Sequence, residues 1–297
     1  MKIGIGAPVS GAWATPGNVT RFAELAENLG YSSLWTFHKL LVSAAQETGP
    51  TYRSVLDPTV ALSFMAARTS RIRLGVSVIN LPFVSPTYLA KQMSSLDVLS
   101  GGRLDLGLGI GGVDEDFVAT GVTKARRGPR TREYLAVLRA HWADEVGSFD
   151  GEFFTVPPTR MTPRPVQRPG PPVLLGGFVQ AALQRAGRLA DGWVSSAEAD
   201  LDTIASQIAI VRTAAAEAGK DPAAVRVVSR GVVRPGERVG RLSGSYSQIR
   251  ADAEWLGEQG VTELFYDLNW DPRIGNPDVS AESATEVAQE IIEALKP

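Results

Sequence analysis

The sequence predicts an α/β protein of the (β/α)₈ TIM-barrel type: eight parallel strands, each followed by a helix. Short apolar strands alternate with amphipathic helices from one end of the chain to the other. The alternation reaches eight, the number that closes a barrel rather than leaving an open doubly wound sheet. No linker or short-period repeat divides the 297 residues, so 1–297 reads as a single domain.

Strand one covers Lys2–Ala7. The helix after it sets Val19, Phe22, Ala23, Ala26 and Leu29 on one face, the spacing of a buried stripe, and Gly30 stops it. Strand two is Ser33–Phe37. Asp57-Pro58 opens the second helix, Asp as N-cap and Pro in the first turn. Strand three is Ile72–Ile79. Ser85-Pro86 opens the third helix, which carries Leu89, Met93 and Leu96 and ends at Gly101-Gly102. Strand four is Arg103–Gly109, and a fourth helix covers about Pro129–Trp142. Phe149–Gly170, rich in Pro and Arg, reads as an insertion after that helix, with a short hairpin near Phe153-Phe154. Strands five to eight follow at Val173–Leu175, Gly192–Ser195, Val225–Ser229 and Glu263–Leu268. Their helices are Val179–Leu189, about Leu201–Ala218, Tyr246–Gln259 and Ala281–Leu295, and Gly231–Ser245 reads as a mobile loop.

Composition removes several functions. Cysteine is absent, which excludes disulfides, thiolate catalysis and thiolate metal sites. The two histidines, His38 and His141, are too few for a multi-histidine metal centre, so no metal is expected. A net charge of −2 gives no support to a nucleic-acid or membrane-surface role. No apolar run approaches the ~18 residues of a membrane span, and Met1-Lys2 leads straight into a strand. A cytoplasmic protein acting on a small molecule is the expectation.

In a barrel, chemistry sits where strands end and βα loops begin. His38 directly follows strand two; it is either a structural cap of the rim or a general acid or base. His141, inside a helix, reads as a packing or surface residue. Gly107, Gly109 and Gly112 satisfy G-x-G-x-x-G, but the motif follows strand four rather than strand one and lacks the acidic residue a dinucleotide fold needs. Such glycines alternatively let a ligand approach the backbone. Gly176-Gly177 before a helix is either a tight turn or an anion site made by unpaired amides and the helix dipole. Arg126, Arg127, Arg130 and Arg132 form a solvated basic face or a phosphate contact. Trp13, Tyr52 and Trp270 lie in loops expected at the mouth, where they line a substrate pocket or simply pack.

Two runs carry a family resemblance. The first joins Arg71-Ile72-Arg73-Leu74-Gly75-Val76, Leu89-Ala90-Lys91-Gln92 and Leu96–Gly109. The second joins Pro172-Val173-Leu174-Leu175-Gly176-Gly177 to Ala190-Asp191-Gly192-Trp193. They resemble the bacterial luciferase-like superfamily over nearly the whole chain, closest to the coenzyme F420-dependent oxidoreductases common in actinobacteria. The resemblance implies a non-prolyl cis peptide at Ser77-Val78 propping the cofactor's central ring. It implies His38 near the reactive carbon, Gly176, Gly177 and Phe178 at the phosphate turn, and Gly109-Ile110-Gly111 beside the ribityl and phosphate region. It also implies a homodimer packed through the second and third helices.

Two positions depart from the pattern. Some deazaflavin enzymes of this group have Asp before the matching histidine, where this chain has Phe37. Some have a Glu after the strand-four glycines, where this chain has Gly112; Glu115 is near but not aligned. Proton transfer then rests on His38, water or substrate. The implied reaction is hydride transfer between F420 and a small organic substrate, the protein orienting the ring and excluding water. The competing readings are an FMN-dependent monooxygenase using reduced flavin and O₂, and a non-catalytic flavin-binding protein. Substrate choice is assigned to the loops Leu40–Leu56, Gly231–Ser245 and Asn269–Asn276.

Overall fold

The computed structural model describes residues 1–45, 47–143 and 145–297. Eight strands close a parallel barrel in which each pairs with its sequence neighbours and the eighth pairs with the first. They are Lys2–Gly6, Ser33–Thr36, Arg73–Asn80, Leu104–Gly109, Val173–Gly176, Gly192–Val194, Arg226–Val232 and Glu263–Asp267. The helices around them are α1 Pro16–Leu29, α2 Pro58–Ala66, α3 Pro86–Ser100, α4 Asp114–Thr120, α5 Arg127–Ala143, α6 Gln180–Leu189, α7 Ile204–Glu217, α8 Tyr246–Glu258 and α9 Ala281–Ala294. No helix among the described residues is long and apolar enough to cross a membrane.

Local chemistry sets most boundaries. Thr15, Asp57, Ser85 and Ser280 each accept a backbone N–H in the first turn of α1, α2, α3 and α9. Ser245 and Gln248 form a reciprocal capping box on α8. Gly30 and Gly101 close α1 and α3 in the left-handed region, at φ 89° and 68°.

The barrel floor is polar and closed. Asp105, 0 % exposed, accepts from Arg73 Nε at 2.7 Å and Nη2 at 2.8 Å, and from Arg226 Nη1 at 2.5 Å. Arg226 also reaches Glu263 at 3.1 Å, and Glu263 accepts from Trp35 Nε1 at 3.0 Å and from Ser33. Burial alone would raise the Asp105 carboxyl; the hydrogen bonds and charge of Arg73 and Arg226 outweigh it and hold the group below the ordinary carboxylate range.

Three elements differ from the sequence expectation. Helix α4, only seven residues long, follows the strand-four glycines, where the sequence reading assigns no element. Strand seven runs on to Val232, which carries Arg230 into the barrel wall. Gly231–Ser245 is pinned rather than free: Asp252 on α8 accepts from Arg238 Nη2 at 2.9 Å, Arg241 Nη1 at 3.2 Å and the Leu242 amide at 2.7 Å. The expected insertion hairpin is present, pairing Gly147–Asp150 with Thr155–Thr159 around Phe153-Phe154. His141 is buried, its Nε2 3.1 Å from Thr87 Oγ1.

Candidate functional site

A cleft of about 400 Å³ opens at the C-terminal ends of the strands. Its wall takes one piece from each of several strand ends. Phe37 and His38 come from strand two, Ser77, Val78 and Asn80 from strand three, and Gly109–Gly112 from strand four. Gly176–Val179 come from strand five, Ser195–Glu198 from strand six and Arg230 from strand seven.

Strand three sets the shape of the floor. Its pairing with strand four slips between Val76 and Ile79, and the Ser77–Val78 peptide in that bulge is cis. The slip turns Val78 toward the glycines of strands four and five. A Cβ on Gly109 would stand 2.5 Å from Val78 Cγ2, and one on Gly176 would stand 3.0 Å from Val78 Cγ1. The glycine pattern that resembled a dinucleotide turn therefore seats the bulge. Only Gly112 faces open space; Gly111, at φ 70°, lies against the rings of Phe83 and Phe117.

His38 stands at the other side of the bulge. Its Nδ1 accepts the Asn80 backbone N–H at 3.3 Å, which assigns the neutral ring's proton to Nε2. Burial lowers its pKa from the ordinary histidine value, partly offset by the charges of Asp57 and Asp116. The ring is therefore neutral at physiological pH and a hydrogen-bond donor through Nε2.

Arg230 is the residue that sequence reading missed. It is 6 % exposed and paired with Asp267 at 2.6 Å; its guanidinium lies 4.6 Å from the Phe37 ring centre and 5.8 Å from that of Trp270. Its Nη1 approaches the Ser77 carbonyl at 3.4 Å, tying strand seven to the bulge. An arginine inside the apolar run Val-Val-Ser-Arg-Gly-Val-Val is a usable signal, which ending the strand at Ser229 hides.

The turn Gly176–Val179 leads into α6, whose N-cap Val179 has no side-chain acceptor; Ala182 N–H donates back to the Val179 carbonyl, and the Gln180 and Ala181 amides are the first-turn donors left for a ligand. Phe178 and Val179 are 62 % and 56 % exposed at the rim. Arg127 donates to the Gly111 carbonyl, and burial together with the Arg127 charge lowers the pKa of neighbouring Arg185. Neither arginine has a carboxylate partner among the described residues. Arg126 instead pairs with Glu152 and, with Arg130, covers the Phe153 ring.

The three loop aromatics separate. Tyr52 lines the cleft and meets Phe37 and Trp270 edge-on, at 6.2 and 5.2 Å between ring centres. Trp270 touches this wall through Tyr52 and Arg230, the Arg230 guanidinium 5.8 Å from its ring centre, and is not itself among the residues lining the cleft. Trp13 does not reach the mouth: it is 0 % exposed, packs on Phe22 and donates to Asn269 Oδ1 at 3.1 Å. Asn269 pulls it inward, because its own amide is fixed by Ala7 O and Asp267 Oδ1. The segment Asn269–Asn276 is likewise tied down, with Ile274 fully buried and Gly275 packed on the Asn269 carbonyl.

The model of the luciferase-like monooxygenase family matches residues 2–255. The chain belongs to the luciferase-like monooxygenase family. An uncharacterized Mycobacterium tuberculosis relative is 32 % identical over 285 residues, covering 92 % of this chain and 92 % of its own. Among solved structures, monooxygenase RslO1 from Streptomyces bottropensis superposes with a TM-score of 0.81 at 23 % identity, covering 99 % of this chain and 98 % of that one. An F420-dependent secondary alcohol dehydrogenase, solved with an F420–acetone adduct, gives 0.78 at 18 % identity and covers all of both chains. These two structural likenesses establish the luciferase-like barrel, and the family match makes the chain a member of the luciferase-like oxidoreductase and monooxygenase family.

Proposed function

We propose that this luciferase-like protein is a coenzyme F420-dependent oxidoreductase that reduces a small electrophilic substrate or oxidises the corresponding alcohol. The observation that carries the reading is the pairing of a bulged floor at Ser77-Val78 with a histidine holding its proton on Nε2 beside it. The residues fit a flat cofactor with an anionic arm. Val78 would support the ring, and Gly109, Ile110 and Gly111 would line the path of its ribityl chain. Gly176, Gly177 and Phe178 with the α6 amides, and the Arg127–Arg185 pair, would hold the arm.

When bound, F420 supplies hydride chemistry at its deazaflavin carbon. The chain orients the ring, excludes water with Tyr52, Phe37 and Trp270, and donates from His38 Nε2 to the substrate atom where charge collects. A neutral histidine can act in this electrophilic way. The second reading, a monooxygenase using reduced FMN and O₂, is favoured by the fold shared with RslO1.

The same reading makes the protein a cytoplasmic homodimer. Val60 and Phe64 on α2, and Tyr88 and Leu99 on α3, are 69 %, 46 %, 64 % and 76 % exposed, an apolar face suited to a second copy. Titrating purified protein with F420 and with FMN, read by absorbance and protein fluorescence, tests the cofactor. Tight binding of F420 alone is expected. Tight binding of FMN alone, with O₂ consumed when reduced FMN is supplied, overturns the assignment.

A further inference from the structure

Tyr52 lines the cleft on a fixed base and keeps an uncommitted hydroxyl. It closes the single turn Pro50–Tyr52 that follows strand two. Thr51, 5 % exposed, anchors that turn: its Oγ1 donates to the Asn269 carbonyl at 3.0 Å, and its own carbonyl accepts from Ser10 Oγ. Phe37 and Trp270 hold the Tyr52 ring edge-on, and Lys39 Nζ lies 5.2 Å from its centre. The hydroxyl itself has no hydrogen-bond partner among the described residues. Tyr31, Tyr134 and Tyr246 instead commit theirs to Ile292 O, Val84 O and Glu290 Oε1, at 2.8, 2.9 and 2.9 Å. Tyr266, also uncommitted, lines a cavity with Met1 and Leu295 at the opposite end of the barrel.

His38 cannot supply a proton in this arrangement. Its Nδ1 accepts the Asn80 amide, so the neutral ring holds one proton, on Nε2. Losing that proton would leave an imidazole anion. The ring can therefore polarise a substrate oxygen but not protonate it. Other polar groups on the wall do no better. Arg230 is bound to Asp267, and a guanidinium keeps its protons. Ser77, Ser195 and Ser196 carry aliphatic hydroxyls, far weaker acids than a phenol. Asn80 is an amide, and Glu198 is exposed at the rim.

We propose that Tyr52 is the proton donor of the reaction, and that the substrate is an aldehyde or ketone whose oxygen accepts from both Tyr52 Oη and His38 Nε2. This rests on the F420-dependent reading above. A carbonyl oxygen has two lone pairs and can take both donors. An imine nitrogen has one lone pair and an isolated alkene none. The step balances. Hydride adds to the carbonyl carbon, the π pair moves to oxygen, and that oxygen takes the Tyr52 proton to give the alcohol. The phenolate then takes a proton from solvent, and His38 keeps its own throughout. Alcohol oxidation runs the same steps in reverse, with the phenolate as base.

The surroundings keep Tyr52 protonated until it is needed. Burial raises its pKa above the ordinary phenol value; the charge of Arg230 opposes this, and those of Glu198 and Asp267 add to it. Transfer to the alkoxide formed by hydride addition is still downhill, because an alkoxide is the stronger base.

Titration with F420 comes first and tests the cofactor reading by itself. Reduced F420 and a panel of small aldehydes and ketones then give turnover in the wild type. Tyr52→Phe keeps the ring and removes only the hydroxyl. Its kcat falls at least about 100-fold, the low end of what a positioned general acid contributes, while KM for F420 and the unfolding midpoint stay. Protein grown with ring-fluorinated tyrosine at all six positions supplies a second readout. Fluorine makes a phenol more acidic. Fluorine NMR, with and without F420, gives the Tyr52 midpoint, assigned by the signal absent from Tyr52→Phe. The high-pH limb of kcat/KM follows that midpoint to lower pH and disappears in Tyr52→Phe. Undiminished kcat in folded Tyr52→Phe, a limb that ignores fluorination, or F420-bound protein that reduces no carbonyl compound overturns the proposal and leaves the cofactor reading intact. Failure to bind F420 overturns the cofactor reading, and the proposal with it.

Discussion

At the floor of the barrel, Asp105 and Glu263 are enclosed by Arg73, Arg226, Ser33 and Trp35; at the mouth, His38 holds one backbone amide and Asp116 Oδ1 holds nothing. Both ends bury polar groups, and the floor satisfies its carboxylates internally, whereas the mouth leaves Asp116 Oδ1 unpartnered beside the satisfied Arg230–Asp267 pair. A satisfied network specifies one packing and contributes to folding, whereas an unsatisfied group keeps its capacity for a ligand, a proton or a partner. The division matches the barrel rule that strand C-termini carry chemistry and N-termini carry stability. Glycines serve both ends: Gly4 and Gly75 admit Ser33 and Trp35 at the floor, and Gly109 and Gly176 admit Val78 at the mouth.

The largest expected effect is at the floor. Asp105→Asn leaves Arg73 and Arg226 facing a neutral group and should cost about 3–5 kcal/mol of stability, the range for breaking a buried ion pair. Denaturant unfolding measures it, and cofactor affinity per folded molecule should be unchanged. A mutant with wild-type stability would mean that the floor network contributes nothing net to folding.

Gly109→Ala inverts that pattern at the mouth. The added methyl meets Val78 at 2.5 Å, so the bulge must move. Overpacking of this kind costs about 1–3 kcal/mol. Cofactor affinity should fall at least about tenfold, equivalent to ~1.4 kcal/mol. Unaltered binding in a folded variant would show that the bulge does not support the ring.

The smallest effect is pH-dependent. Burial lowers the pKa of both His38 and His141. The unfolded chain therefore binds protons more readily, and stability rises with pH across the window. That contribution is complete above the unfolded histidine value of about 6.5 and is lost as pH falls through the folded values. Urea midpoints should drop on acidification in this range, and His141→Gln should flatten the slope. A slope unchanged in His141→Gln would assign the whole effect to the mouth.

Local signals in the chain determined the barrel, its strand order and most helix ends. Helical stripes, Ser/Thr/Asp caps and stop glycines act within a few residues, so a linear reading can weigh them. The resemblance in its motifs likewise pointed to the luciferase-like family and to the strand ends that form the cleft. Only the tertiary structure decided which side chains meet. Trp13 and Asn269 are separated by 256 positions, and Arg230 and Ser77 by 153. Burying Trp13, seating Val78 on glycines and enclosing Asp116 all depend on barrel closure. Closure brings distant strand ends together by packing, and no local rule encodes those distances.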